Sequence, residues 1–284
     1  MLNKLEISQI FRDAYKIRHS LNIKQSVPIN IYDVVNKYDD KINIIFVEAN
    51  SFEGLYCKNP GPNIILNINR PTGRKNFNCA HEFAHHFYGH QTTLDLIINN
   101  YASVKEERIT NLFAGFLLLP KMLIDRAINL REWKPKDLTP IQIYILSRYF
   151  GVGYSTLVKH LSYTLKIITN IHCESLLKSR PIKLREELFE APCNTNLYII
   201  DSFWENELID IEINDYLSTE KEILVEGTSI LKIKENNNSN FYIANQLGIS
   251  KLINPVTKWS SFVRVSRNKY IGDYQYKFLE DSNA

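Results

Sequence analysis

Histidines are concentrated in one short stretch of this 284-residue chain, and two of them have the spacing of metal ligands. Four of the seven histidines lie within ten residues, namely His81, His85, His86 and His90. His81, Glu82 and His85 form the pattern HExxH. On a helix, positions i and i+4 share one face, so the imidazoles at 81 and 85 can converge on one zinc ion. The sequence predicts these two as ligands, with His86 and His90 outside the site.

Glu82 has a different predicted role, because it follows the first histidine directly. Its carboxylate would lie beside the metal rather than on it, where it can accept a proton from a water that the metal makes acidic. The surrounding residues, among them Phe77, Phe83 and Phe87, are apolar, which favours a buried helix over an exposed one with polar histidines. Gly89 is a fitting end for this helix.

A zinc site of this type also needs a third protein ligand and a position open to water. The helical segment at 104–120 offers Glu107 as the favoured ligand and Glu106 as an alternative that periodicity does not exclude. Asn111 lies four residues after Glu107 on the same face and is expected to accept an imidazole N–H, holding that ring in place. His90 is a less favoured ligand, because it lies beyond the predicted end of its helix.

Hydrophobic periodicity places a small sheet ahead of these helices. Helices are predicted within residues 1–20 and at 31–38. Short stretches rich in β-branched and aromatic residues predict strands at 42–47, 52–57 and 63–68. Helical spacing resumes near Lys75 and continues to about Ile168, with breaks at Gly89, near Pro120 and over 133–140.

Beyond about residue 180, strand candidates separated by turn residues replace the helices. They are 197–200, 208–213, 222–226, 229–234, 240–244, 261–265 and 274–278. We therefore expect a boundary near 170–185. The C-terminal part carries no ligand cluster, glycine-rich phosphate loop or nucleophile motif. It is predicted to be an ordinary small β-domain, with a sensory or docking role as the alternative.

Composition bounds the class of protein. Hydrophobic residues make up 44% and charged residues 23%, which excludes a disordered chain or a coiled-coil rod. The net charge of +3 gives no strong field for nucleic acid or an anionic membrane. The first 20 residues lack the apolar stretch of a secretion signal, and four cysteines without CxxC are typical of reduced thiols. We expect a cytoplasmic protein.

Residues 139–163 have the apolar spacing of a helix-turn-helix, with a turn at Gly151-Val152-Gly153. The residues that would contact DNA are Tyr154, Ser155, Thr156, Lys159 and His160. The second helix is only mildly basic, so packing into the core is the favoured role and DNA binding the less favoured one.

Three blocks resemble the ImmA/IrrE metallopeptidase family. They are residues 54–56 with the strand at 64–67, residues 77–85 with HExxH, and residues 107–120. The family pattern in the third block is E-x-x-A-N-x-F-A followed by L-L-x-P. This chain departs from it at Thr110 and at Gly115-Phe116, which removes no ligand but can change packing. The resemblance covers roughly residues 5–165.

The resemblance implies a gluzincin-like peptidase. It carries the zinc ligands over to His81, His85 and Glu107 and the general base to Glu82. The expected fold is α+β, with a zincin-like metallopeptidase domain at 1–130, a helix-turn-helix-like segment at 131–175 and a β-rich C-terminal domain at 180–284. An oxyanion donor is also expected. The candidates are Tyr56, Tyr88, His90 and Tyr101. For each of the three tyrosines, a position in the hydrophobic core is the favoured interpretation.

By the same resemblance, we expect a zinc endopeptidase of narrow specificity. Its expected substrate is a helix-turn-helix repressor of the phage type, whose cleavage would switch on stress, mobile-element or defence genes. The alternative is a non-proteolytic DNA-binding or scaffold regulator with a structural or inactive zinc site. Glu82 discriminates between the two, because a structural site needs no base and usually closes its fourth position with Cys or His.

Overall fold

The structure is a computed structural model that describes residues 2–50, 52–90 and 104–279. The chain forms two compact units. The first comprises Met1–Lys178 with Ile271–Tyr274, and the second comprises Ser179–Tyr270 with Gln275–Ala284. Helices dominate the first unit and strands the second, which confirms the predicted α+β class.

Most helices follow the periodicity of the sequence, but the helix at Pro181–Phe189 was not predicted, because it falls within the segment expected to be β-rich. The helices are α1 (Lys4–Ser20), α2 (Ile31–Tyr38), α3 (Thr72–Phe87), α4 (Val104–Leu118), α5 (Lys121–Leu130), α6 (Pro140–Tyr149), α7 (Tyr154–Lys159) and α8 (Asn170–Leu177) in the first unit, and α9 (Pro181–Phe189) in the second. Asn3 and Glu6 form a capping box at the start of α1, and the side chain of Asn30 caps α2.

The strands are β1 (Asn43–Val47), β2 (Gly54–Cys57), β3 (Asn63–Asn67), β4 (Leu197–Ile200), β5 (Leu208–Glu212), β6 (Tyr216–Glu220), β7 (Leu224–Glu226), β8 (Ile230–Glu235), β9 (Ser239–Ala244), β10 (Gly248–Ile253), β11 (Ser260–Ser266) and β12 (Gly272–Asp273). The sheet of the first unit has the order β12-β1-β3-β2. β1 and β3 are parallel, whereas β2 and β12 run antiparallel to their neighbours. β1, β2 and β3 confirm the three predicted strands.

β12 was not predicted, and it returns the end of the chain to the first unit. Ile45 pairs with Asp273, and the buried Tyr274 follows directly. The Tyr274 hydroxyl donates to Oδ1 of Asp33 at 2.9 Å, and its ring lies 4.9 Å from that of Tyr32. The strand predicted at 274–278 is therefore wrong, because Tyr274–Tyr276 forms a 3₁₀ turn.

α3 lies against β2, β3, α2 and α4. Its inward face is built from small and aromatic residues, with Ala80, Phe83 and Ala84 fully buried. Near its start, Gly73 allows a close approach of backbone, because a Cβ there would lie 2.4 Å from the carbonyl carbon of Val152. Glycine at this position thus allows α3 to lie against the turn that follows α6.

The segment 139–163 folds as α6, a turn and α7, with a π-helical turn at His160–Thr164. Two of its five suggested DNA contacts are wrong, because Tyr154 and His160 are buried. The Tyr154 hydroxyl donates to the carbonyl of Leu176, and Nε2 of His160 lies 3.0 Å from the carbonyl oxygen of Leu119. Their polar atoms bond inside the unit, in line with the packing role, whereas Ser155 and Lys159 are exposed.

The second unit contains two four-stranded sheets, β5-β11-β10-β7 and β4-β6-β9-β8. Most predicted strands are present within a residue or two, but β6 and β10 were missed. A buried cluster of Phe189, Cys193, Leu197 and Phe241 joins α9 to β4 and β9. In the part of the chain that the structure describes, no helix has the length and apolarity needed to cross a membrane.

Candidate metal centre

The two histidines of the HExxH pattern project from the same face of α3. His85 is fully buried and His81 nearly so, with 14% of its side chain exposed. Their Nε2 atoms lie 3.2 Å apart. Two imidazole nitrogens at this separation, each able to offer a lone pair, are arranged as neighbouring donors to one ion.

Glu107 completes the group from the facing helix α4. Its Oε2 lies 3.3 Å from Nε2 of His81, and its Oε1 lies 3.4 Å from Nε2 of His85. All three ligand atoms fall within 4.8 Å of one another. The structure therefore brings together the three predicted ligands and selects Glu107 over Glu106.

The electrostatics of the group favour an ionised carboxylate. Hydrogen bonding to His81 and His85 holds the pKa of Glu107 well below its usual range. Burial lowers the pKa of His81, but hydrogen bonding to Glu107 and the charges of Glu82 and Glu107 outweigh it, so that this pKa is raised. The carboxylate charges that raise this pKa would also favour a metal cation between the side chains.

Glu82 lies beside the group and is 5% exposed. Gly54, in β2, makes room for it: a Cβ at that position would lie 3.1 Å from Oε1 of Glu82 and 3.2 Å from its Cγ. The role of Gly54 was not predicted, although the residue belongs to the first of the three blocks. The sequence signal that could have indicated it is a glycine inside the predicted strand 52–57, since a glycine in a strand often marks a close approach of another group.

Thr110 and Asn111 add hydrogen bonds around the ligands. The Asn111 amide donates to the carbonyl of Glu107 at 2.6 Å, and its side chain contributes a hydrogen bond that raises the pKa of His81, in line with the predicted support of that ring. The buried hydroxyl of Thr110 lies 3.4 Å from Nε2 of His81. This polar contact comes from a departure from the family pattern, and the sequence did not predict it.

The two remaining histidines are outside the ligand group, as predicted, but both contact named partners. Nδ1 of His86 lies 3.0 Å from the hydroxyl of Tyr56, and its Nε2 lies 3.4 Å from Asp39. Nδ1 of His90 lies 3.0 Å from Nδ1 of His85. His90 thus contacts a ligand without offering an atom to the metal group.

Two of the oxyanion candidates, Tyr56 and Tyr88, are engaged elsewhere in the unit. Tyr56 is buried with its hydroxyl at His86, and the Tyr88 hydroxyl donates to Asp13 at 3.3 Å. Burial raises the pKa of Tyr88 well above its ordinary value. Tyr101 lies outside the described residues.

The cysteines take no part in the candidate centre. Cys79 is fully buried on α3, and burial raises the pKa of its thiol well above the ordinary value, which makes it a poor nucleophile. Cys173 and Cys193 are also buried. The four cysteines form no disulfide with one another.

Comparison with known proteins yields one family match and several distant structural similarities. The model of the IrrE N-terminal-like domain, Peptidase M78, matches residues 39–162. No curated protein matches the chain. A Mycobacterium tuberculosis transcriptional regulator is similar at 18% identity and a TM-score of 0.39, over 55% of this chain. The chain spans 46% of that structure.

Two smaller structures are similar over 25% of this chain each. One is the cysteine protease inhibitor EhICP2 from Entamoeba histolytica, at 9% identity and a TM-score of 0.19, with 95% of its own chain covered. The other is Amebosin, at 12% identity and a TM-score of 0.15, with 99% of its own chain covered.

Proposed function

We propose that the chain is a zinc-dependent endopeptidase, because residues 39–162 match the model of the IrrE N-terminal-like domain of M78 peptidases. This match confirms the ImmA/IrrE resemblance seen in the sequence. The observation that carries the proposal is the convergence of His81, His85 and Glu107 within 4.8 Å, with Glu82 next to the first ligand on α3.

The donor set suits zinc better than the common alternatives. Two imidazole nitrogens and one carboxylate oxygen make a three-ligand set that leaves a fourth tetrahedral position for water or substrate. Magnesium and calcium prefer oxygen ligands, which a pair of histidines does not provide. The low pKa of Glu107 means that this ligand is ionised at neutral pH without the metal's help.

Bound zinc would supply a Lewis acid that polarises the scissile carbonyl and acidifies a water. Glu82 then acts as the general base, accepting a proton from the attacking water and later delivering it to the leaving amine. Its burial keeps the carboxylate in one place, and Gly54 sets the space in which it lies. The charge of Glu82 contributes to raising the pKa of His81, in line with a carboxylate close to the candidate ligands.

β2 supports an extended peptide as the substrate. It is the outermost strand of its sheet, and Gly54 brings it against Glu82. An extended chain that adds to a sheet edge forms backbone hydrogen bonds there, and side-chain pockets then set the specificity. A peptide held along β2 would pass beside the base.

For the substrate itself, the family resemblance supports a helix-turn-helix transcriptional repressor of the phage type. Cleavage of this regulator would release stress, mobile-element or defence genes from repression. The burial of Tyr154 and His160 weakens the alternative of a DNA-binding regulator, since two of its five suggested contacts are inside the core.

The experiment is cleavage of the repressor encoded beside the gene. The zinc-loaded chain is incubated with this repressor, with and without a chelator, and the products are identified by mass spectrometry. We expect one cleavage that the chelator abolishes and added zinc restores. Sequence-specific DNA binding in a gel shift, with an intact repressor, would instead support the non-proteolytic alternative.

A further inference from the structure

We propose that His90 is a positioning residue for the metal centre: its imidazole accepts the Nδ1–H of His85 and fixes the tautomer and orientation of that ligand. The inference rests on the proposed function, since it takes His85 to bind zinc through Nε2. It assigns a role to a histidine that lies outside the ligand group.

The two nitrogens of the His85 ring have separate partners. Nε2 lies 3.4 Å from Oε1 of Glu107, within the ligand group, while Nδ1 lies 3.0 Å from Nδ1 of His90. A metal takes the lone pair of Nε2, so a neutral His85 carries its proton on Nδ1. That proton can be donated to His90 only if Nδ1 of His90 is unprotonated. His90 is therefore assigned the Nε2–H tautomer.

Burial makes this acceptor important. His85 is fully buried, and a buried N–H without an acceptor loses its hydrogen bond to water without gaining another. Ligating histidines almost always donate the N–H of their second ring nitrogen to a carboxylate, a carbonyl or water. Here the imidazole of His90 occupies that place.

The end of α3 explains why His90 reaches His85. Gly89 has a φ of +69°, the left-handed conformation that favours glycine. The N–H of Gly89 donates to the carbonyl of His86, and the N–H of His90 donates to the carbonyl of His85, each at 3.0 Å. This is a Schellman motif, in which the N–H of the second residue past the cap donates to the carbonyl of the third residue from the helix end. Backbone and side chain of His90 thus both contact His85.

Tyr88 supports the ring of His90 from the side. The two rings stack with centroids 5.9 Å apart and an angle of 26°. The Tyr88 ring is itself held by its hydroxyl bond to Asp13 and by an edge contact with Phe113 at 5.7 Å. The orientation of His90 is therefore restricted by aromatic packing as well as by its hydrogen bond.

The test uses two variants of similar size, His90→Asn and His90→Leu. Asn offers an oxygen close to the position of the imidazole Nδ1, whereas Leu offers no acceptor. Zinc affinity of the full chain is measured by competition with a chelator. We expect His90→Leu to bind zinc about 10- to 100-fold more weakly than wild type, the range found when a hydrogen-bond partner of a metal ligand is removed. His90→Asn should stay within about threefold of wild type, because the acceptor is retained.

Two measurements separate positioning from a general structural effect. Thermal unfolding of the zinc-free proteins should give the same Tm for both variants, because without zinc His85 can carry its proton on Nε2, toward Oε1 of Glu107, and then needs no acceptor at Nδ1. Nitrogen-15 spectra of histidine in the zinc-loaded wild type should show His90 as the neutral Nε2–H tautomer, and this measurement does not depend on any variant folding.

Wild-type zinc affinity in His90→Leu, equal losses in both variants, or a Nδ1–H tautomer of His90 would each overturn the inference while leaving the proposed function intact. A wild-type chain that does not bind zinc would overturn both.

Discussion

Oε2 of Glu107 lies 3.3 Å from Nε2 of His81, although the two residues belong to different helices and are 26 positions apart in the sequence. This relationship makes the candidate metal centre a tertiary feature. HExxH places two candidate ligands on α3 by helical geometry alone, but the third candidate depends on how α4 packs against that helix. The packing of α4 against α3 also brings Glu107, rather than its neighbour Glu106, to the two histidines, a choice that the sequence leaves open.

Glu107→Gln should lose zinc, whereas the matched variant Glu106→Gln should keep it. The loss in zinc affinity should exceed the roughly 10- to 100-fold found when a hydrogen-bond partner of a ligand is removed, because here a charged ligand atom itself is lost. Zinc content after dialysis and chelator competition give the measurement. Retention of zinc by Glu107→Gln with loss in Glu106→Gln would mean that the third ligand is misassigned.

Gly54→Ala should reduce cleavage without reducing zinc affinity. The added Cβ would lie 3.1 Å from Oε1 of Glu82, so the carboxylate must move by a few tenths of an ångström. We expect kcat/KM for the repressor to fall roughly tenfold, since small displacements of reacting groups are costly. Gly61→Ala is the control, because its Cβ would meet nothing within 4 Å. Equal activity of both variants would show that Gly54 does not set the position of the base.

Gly73→Ala should destabilise the first unit. Its Cβ would lie 2.6 Å from the backbone nitrogen of Gly153 and 2.4 Å from the carbonyl carbon of Val152. Backbone cannot move aside as a flexible side chain can, so overpacking should lower the free energy of unfolding by about 1–3 kcal/mol. Urea denaturation of Gly73→Ala and Gly61→Ala gives the comparison, and equal midpoints would rule out the close approach.

His160 should make the stability of the zinc-free protein fall in mild acid. Burial lowers its folded pKa to about 4, against an unfolded value of 6.5. The unfolded chain therefore binds the extra proton between these values, and stability is lost as pH falls from about 6.5 to about 4.

At about 1.36 kcal/mol per pH unit, the full loss is on the order of 3 kcal/mol. His160→Gln removes this group, so wild type should lose more stability than the variant between pH 7 and pH 4.5 in urea unfolding. Parallel losses in the two proteins would contradict a neutral, buried His160.

Local sequence pattern was sufficient to predict most helices and to place the two candidate ligands of HExxH on one helix. Asn30 precedes a clear apolar repeat, and α2 begins and ends where the sequence predicts. The glycine at 89 ends α3 as expected, since its φ is positive. These features depend on interactions within a few residues, which a sequence displays directly.

The missed features depend on contacts between distant parts of the chain. β12 pairs with a strand more than 200 residues earlier in the chain. Its two residues, Gly272 and Asp273, are both uncommon in strands, so the sequence gives no local signal for it. His160 looks like a surface histidine in the sequence, and only the carbonyl of Leu119 beside it shows why it is buried. The contact of His90 with His85 could have been predicted from the local sequence, because the Schellman motif at Gly89 brings these two positions together.

The most direct test of the account is the Glu82→Gln variant, assayed for zinc content and repressor cleavage in parallel with wild type. The substitution keeps the size of the side chain and removes the base, and Glu82 is not among the ligands that converge within 4.8 Å. We predict that Glu82→Gln retains one zinc per chain and loses cleavage by at least about 100-fold, the scale of general base catalysis. Cleavage by Glu82→Gln at the wild-type rate would contradict the peptidase mechanism.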